Sequence, residues 1–290
     1  MTDKRWTVLE LVGWTANYLK EKGFHNPRLN AELLLAGSLG LKRLDLYLQH
    51  DRPLKADELA DFKARLLRRA KREPLQYIEG RAAFRDLALR VDPRVLIPRP
   101  ETETLVQAVL DWAAGRDGLT ALDVGTGSGA IALALATEGP FRRVAATDVS
   151  ADALEVARAN AADAAPDAPV EFHLGSLYEP VAGERFDVIA SNPPYVGTEE
   201  RDALDAEVRD WEPAAALFAG AGGLDVIRPL VAQAPEHLAA GGLLALEIGA
   251  AQADAVREII RATGAFCEPV VRRDLAGRDR IVLAELAARS

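Results

Sequence analysis

Asn192-Pro193-Pro194-Tyr195 puts an amide, two stiff imides and an aromatic ring side by side. The tetrapeptide follows an apolar run at 186–191 that reads as a buried parallel strand. Proline has no N–H for a ladder and restricts the residue before it, so the strand must stop here. Asn192 then sits at the carboxyl end of a strand, the edge of an open α/β sheet where ligands bind. A stiff loop of this composition suits a planar NH2 group. Asn192 Oδ1 and the Pro193 carbonyl can each accept one of its hydrogens, and Tyr195 can cover its face. By itself the tetrapeptide reads more plainly as a strand-ending turn with Tyr195 as packing.

A second motif shifts that balance. Leu122-Asp123-Val124-Gly125-Thr126-Gly127-Ser128-Gly129 runs into Ala130–Ala136, a short strand, a glycine turn and a helix start in order. Gly125, Gly127 and Gly129 let the backbone turn tightly and approach a ligand closely. Asp148 lies about 20 residues past the turn, where a carboxylate suits a ribose diol. Dinucleotide sites use the same device. Here the spacing is Gly-x-Gly-x-Gly, and Asp123 precedes it. A carboxylate there repels a pyrophosphate but attracts the charged amine of an amino acid. The loop therefore fits S-adenosylmethionine (SAM) better than NAD. Asp123 as an N-terminal turn cap is the competing reading.

These residues need a sheet to hold them. Strand patterns near 120–124, 143–147, 170–174, 186–191 and 243–248 alternate with helical patterns near 129–137, 150–163, 223–240 and 251–263. Such alternation predicts a doubly wound parallel α/β sheet. Segments 266–273 and 279–287 have no helix between them and Gly277 supplies a turn, so an antiparallel hairpin is expected at the sheet edge. Residues 1–75 read as a small helical bundle: Trp6–Lys22, a helix opened by Asn26-Pro27 and running through Leu39, and Lys55–Arg72. Residues 76–99 read as a β-hairpin linker, and 100–290 as the sheet domain.

Composition bounds the rest. At 290 residues two domains are expected, and 49% apolar residues suffice for a large core. No apolar run approaches a membrane span. Met1–Trp6 lacks the apolar segment of an export leader, and the single cysteine, Cys267, excludes an internal disulfide, so a cytoplasmic location is expected. The four histidines show no ligand spacing, and no metal is expected. A net charge of −9 argues against a chain that grips bare nucleic acid over its whole surface. A monomer is expected.

Several residues carry weaker signals. The basic run Lys63, Arg65, Arg68, Arg69, Lys71 and Arg72 reads as a solvated helix face more than as a dock for RNA or an acidic partner. Cys267 reads as a buried apolar filler. Glu247, ending a strand near the expected site, either orients the substrate loop or caps the next turn. Arg99 and Glu101 read as a capped helix start with a surface ion pair, or as a closure over the site. Trp211-Glu212-Pro213 reads as an anchor for the loop after Tyr195.

In this order the two motifs resemble those of class I SAM-dependent methyltransferases. The resemblance implies a Rossmann-like, seven-stranded, mostly parallel sheet with a C-terminal antiparallel hairpin. The Asn-Pro-Pro-Tyr form narrows it to enzymes acting on planar amino or amide nitrogens. Leu96–Glu103 and Arg273–Arg280 resemble two signature segments of release factor glutamine methyltransferases, and the helical region with Arg28–Leu35 is similar too. The resemblance covers nearly the whole chain. It implies methyl transfer from SAM, leaving S-adenosylhomocysteine, to the side-chain N5 of the glutamine in the Gly-Gly-Gln loop of class 1 release factors. It implies that Asp123, Gly125, Thr126, Gly127, Ser128, Gly129, Asp148 and Asn192 contact SAM, and that Asn192, Pro193, Pro194 and Tyr195 hold the glutamine. Gly175-Ser176-Leu177-Tyr178 stands where the family often carries an acidic residue and then an aromatic against adenine. Leu177 is expected to pack on adenine and Ser176 to bond it. The N-terminal helices are expected to recognise the protein substrate, with no direct nucleic-acid or membrane partner. Three alternatives stay open: a ribosomal-protein glutamine methyltransferase, a DNA adenine-N6 methyltransferase and a non-catalytic SAM-binding module. The second normally needs a basic base-reading domain, and the third has no use for an amide-holding loop.

Overall fold

The computed structural model describes residues 5–288; Met1–Lys4, on which the expectation about an export leader partly rests, lie outside them with Arg289 and Ser290. The chain divides into two units, one of residues up to Gly80 together with Ala206–Trp211, the other of Arg81–Asp205 and the residues from Glu212 onward.

The first unit is helical: α1 (Val8–Glu21), α2 (Pro27–Leu39), α3 (Arg43–Leu48), α4 (Ala56–Ala70) and α5 (Leu75–Glu79). Apolar positions three and four apart bring Leu11, Leu19, Leu34, Leu35 and Phe62 into one core. The Glu10 carboxylate accepts from the Thr7 backbone N–H at 3.0 Å, which fixes the start of α1. Pro27 opens α2, and Gly40, left-handed at φ 62°, ends it. Asn26 is itself left-handed at φ 49° and makes no side-chain capping bond. Helices α3 and α5 carry no sequence signal because six and five residues are too few to show a period. The basic run on α4 is not simply a solvated face. Arg69 is buried, where it donates to Asn30 Oδ1 at 2.7 Å, to the Glu73 carbonyl at 2.8 Å and to Glu207 at 2.8 Å. Arg65 pairs with Asp61 and Glu79, and Arg68 with Glu73.

The second unit opens with an antiparallel hairpin, β1 (Arg81–Phe84) and β2 (Leu87–Arg90), and residues 91–99 then form no regular element. There follow α6 (Pro100–Ala113), β3 (Leu119–Val124), α7 (Ala130–Glu138), β4 (Phe141–Asp148), α8 (Ala151–Ala164), β5 (Val170–Leu174) and β6 (Phe186–Ser191). After α9 (Ala206–Arg209), which belongs to the helical unit, come α10 (Ile227–His237), β7 (Leu238–Glu247), α11 (Ala253–Ala262), β8 (Val270–Arg273) and β9 (Asp279–Glu285). Seven strands form one sheet in the order β5-β4-β3-β6-β7-β9-β8. The first five are mutually parallel, and β9 runs antiparallel to both β7 and β8. The mostly parallel sheet with a terminal hairpin is the architecture the sequence predicts.

Alternate residues feed two cores. Ala121, Val188, Ala190 and Leu243 meet the side of α6 and α7, while Leu122, Ile189, Leu244 and Leu246 meet the side of α10 and α11. Each fully buried leucine or isoleucine there contributes about 1.5–3 kcal/mol relative to exposure. The chain begins the sheet at β3, builds outward through β4 and β5, then crosses to β6 on the other side. The switch point between β3 and β6 is where such sheets bind ligands at their carboxyl ends.

Two further expectations need correction. The helix expected near 223–240 runs only from Ile227 to His237. Gly223 is left-handed at φ 69°, in a turn so close to Tyr195 that a Cβ on it would lie 2.0 Å from the Tyr195 carbonyl oxygen. At the other end Leu238 already pairs with Phe186 as the start of β7. Cys267 is exposed, not buried, because it sits at the open edge where its backbone N–H bonds to Glu285. Among the described residues no helix is long and apolar enough to cross a membrane.

Candidate active site

Strand β3 is buried along its whole length and delivers the glycine loop to the switch point. Gly125, Gly127 and Gly129 have φ of 76°, 54° and 85°. A Cβ on Gly125 or Gly127 would meet no atom, so the left-handed backbone, not crowding, demands glycine there. Gly129 differs: it starts α7, and a Cβ on it would come within 3.3 Å of Leu133. The loop is braced on both sides. Gly125 and Thr126 N–H both donate to the Thr147 carbonyl, at 2.8 and 3.0 Å, and Asn160 donates to the Ser128 carbonyl at 2.9 Å.

Asp123 works from beneath. Its side chain is fully buried and does not line the cavity; Oδ2 accepts from the Thr126 hydroxyl at 2.6 Å and from Ala132 N–H at 3.1 Å. Burial pushes its carboxyl up to about 7 against those two bonds, and nearby Asp148 adds to the rise. The structure thus gives Asp123 a loop-bracing role. Asp148, at the end of β4, does reach the cavity. Its Oδ2 accepts from Gly127 N–H and its Oδ1 from Ser150 N–H, both at 2.9 Å. Ser176 and Leu177 lie on the same wall. Leu177 is left-handed at φ 47°, a conformation costing a leucine on the order of 1 kcal/mol, and Thr147 holds it by donating to its carbonyl at 3.0 Å.

The second wall comes from β6. The Ser191 hydroxyl donates to the Val124 carbonyl at 2.6 Å and ties the two strand ends together. One cavity of about 480 Å³ is lined by Gly125, Thr126, Gly127, Ser128 and Asp148 on one side and by Asn192, Pro193 and Pro194 on the other. Asn192 Nδ2 donates to Thr102 Oγ1 at 3.0 Å, and Thr102 donates to Glu247 Oε2 at 2.6 Å. The Tyr195 hydroxyl donates to Glu247 Oε1 at 3.2 Å. Tyr195 does not line the cavity; its ring packs toward the core beneath α10 and α11. Its backbone is fixed by Gln252, which donates to the Tyr195 carbonyl at 2.9 Å and to the Gly222 carbonyl at 3.0 Å.

Glu247 is fully buried. Desolvation pushes its carboxyl up to about 6, resisted by the bonds from Thr102 and Tyr195 and by the charge of Arg280. Burial, with the Glu247 carboxylate beside it, raises the Tyr195 phenol. Arg99 pairs with buried Glu212, whose other oxygen accepts from Ile97 N–H at 3.3 Å. That pair is half-buried and not a surface one. Asn192 and Tyr195 are legible in the sequence, and Glu247 is legible there only as a strand end with two open roles. Thr102 carries no sequence signal beyond its place in Leu96–Glu103.

The cavity walls suit SAM. A carboxylate with lone pairs to spare, an apolar surface at Leu177 and a glycine backbone free of side chains lie around one space. The PrmC N-terminal domain family matches residues 10–80, and the methyltransferase small domain family matches 101–209. The release factor glutamine methyltransferase of Geobacter sulfurreducens is 45% identical over 284 residues, 97% of this chain and 98% of that protein. The enzyme of the same description from Koribacter versatilis is 46% identical over 278 residues, covering 96% and 98%. Among solved structures, the Thermus thermophilus 16S rRNA N2 G1207 methyltransferase in complex with AdoMet and guanosine superposes with a TM-score of 0.51 at 18% identity, over 72% of this chain and 50% of that one. That likeness is one of fold.

Proposed function

The chain belongs to the release factor glutamine methyltransferase family, and from that premise we propose that it methylates the side-chain N5 of the glutamine in the Gly-Gly-Gln loop of class 1 release factors, with SAM as donor. The observation that carries this reading is the Asn192 amide. Its Nδ2 is tied back to Thr102, which leaves Oδ1 as an acceptor beside the cavity that Asp148 and the glycine loop share.

An amide nitrogen is a weak nucleophile because its lone pair is delocalised into the carbonyl. When bound, SAM supplies a methyl group on a sulfonium, a good leaving group. The protein's share is alignment and exclusion of water. Asn192 Oδ1 and the Pro193 carbonyl accept the two hydrogens of the target NH2 and fix its plane. No general base is needed before transfer, since the methylated nitrogen is cationic and strongly acidic and gives one proton to solvent water afterwards. Asp148 holds the ribose diol, Ser176 and Leu177 take the adenine, and the glycine loop takes the amino-acid end. Asp123 holds that loop in shape. The helices up to Gly80 recognise the release factor, and the enzyme acts as a cytoplasmic monomer.

Mass spectrometry of a purified class 1 release factor, after incubation with the enzyme and SAM, tests this. The expected result is one added methyl group on the Gly-Gly-Gln glutamine. Preferential methylation of a ribosomal protein or of duplex DNA would replace this reading.

A further inference from the structure

Thr102 and Glu247 are 145 positions apart in sequence and meet behind Asn192, both buried. Their hydrogen bonds have a direction. An ionised carboxylate only accepts, so the proton between Thr102 Oγ1 and Glu247 Oε2 belongs to the threonine. With that proton committed, Thr102 Oγ1 can only accept from Asn192, and only Nδ2 can supply the bond. The amide is held with Oδ1 turned away, and no hydrogen bond among the described residues occupies that oxygen. A turned-over amide would set Oδ1 against an oxygen with no proton to offer.

We propose that Thr102 and Glu247 are positioning residues that set the polarity of the Asn192 amide, so that the site presents an acceptor to a target NH2 and rejects a side chain, such as glutamate, that offers only acceptors. The inference rests on the methyl-transfer reading above and adds the origin of its choice of amide over acid. The charged and titratable groups facing Glu247 are Tyr195, Arg280 and Glu101, with Arg99 acting on Tyr195. Once protonated, Glu247 can itself donate to Thr102, and the polarity is no longer imposed.

Thr102→Val keeps the shape and removes the hydroxyl. Turnover at saturating SAM should fall on the order of tenfold, with the KM for SAM changed by less than about threefold. A release factor carrying Gly-Gly-Glu should become a stronger competitor of this variant than of the wild type. Thr102→Ser should restore both properties. Equal losses in the valine and serine variants, or unchanged turnover and discrimination in the valine variant, overturn the inference. The wild-type turnover should fall below a midpoint of about 6, and Glu247→Gln should lack that limb; a limb that persists in the variant overturns it. The side-chain 15N resonance of Asn192, assigned by its loss in Asn192→Ala, needs no substrate. It should titrate with a midpoint of about 6 in the wild type and not in Glu247→Gln. A resonance indifferent to pH overturns the inference whatever the substrate proves to be. Failure of the wild type to methylate glutamine overturns the functional reading alone and leaves the resonance to decide this one.

Discussion

The two ends of the cavity are built on different plans. At the glycine end the bonds are short-range or backbone-made: Thr126 to Asp123 spans three residues, Ser150 to Asp148 two, and Gly127 to Asp148 21. At the Asn192 end they join side chains 90, 145 and 52 positions apart. The first end is a local motif in which each bond stands nearly alone. The second is a relay in which each side chain orients the next, so a loss at one member reaches the others.

The largest effect is expected at the end of the relay. Asn192→Asp sets a second carboxylate against Thr102, whose single proton Glu247 already takes. Turnover should fall on the order of a hundredfold or more, with SAM affinity near normal. Single-turnover methylation at saturating SAM measures it, and a wild-type rate would sink the amide clamp. At the glycine end, Asp148→Ala removes a charged acceptor and should weaken SAM binding about tenfold to a hundredfold by calorimetry, with the fold intact. If turnover at saturating SAM collapsed as well, the two ends would be one device and the contrast would fail.

Glu247→Gln separates stability from activity. The folded-state carboxyl is raised from 4.5 to about 6, so ionising it costs the folded state more than the unfolded one. The penalty is absent below the unfolded value, grows between 4.5 and about 6, and is complete above that. Its full size is about 2 kcal/mol, at about 1.4 kcal/mol per pH unit of displacement. The glutamine variant should therefore melt higher than the wild type at pH 8, and the gain should close as pH falls toward 4.5. A variant that melts lower at both pH values would mean that the carboxylate's bonds outweigh its burial. The smallest effect is expected from Tyr195→Phe, which loses one 3.2 Å bond, about 1 kcal/mol, and keeps the ring. Its turnover should exceed that of Tyr195→Ala; equal losses would move the role from the ring to the hydroxyl.

The same contrast explains what could be read from the chain. The glycine loop and Asn192–Tyr195 were legible because stiffness, left-handed backbone and strand ends are all written in contiguous residues. Thr102 was not, since nothing near it in sequence announces a partner at Glu247. Asp123 was legible as important but not as buried, because a strand's last residues can point either up to the ligand or down beneath the loop. Nothing contiguous in the sequence sets Gly223 outside the helical pattern, because its neighbour, the Tyr195 carbonyl, is 28 positions away. Arg69 looked solvated because its run of charges hid one position that turns inward.

The helical unit includes Ala206–Trp211, with Arg81–Asp205 made in between. That places a delay in the chain's synthesis. At about 5–20 residues per second, those 125 intervening residues take roughly 6–25 s to emerge. Throughout that interval Arg69 lacks Glu207, its only acidic side-chain partner by direct bond among the described residues, and has Asn30, the Glu73 carbonyl and the face of the Phe24 ring as its neighbours. The part of the protein made first is therefore finished late. Its last piece arrives only after the strands that carry the glycine loop and Asn192 have left the ribosome.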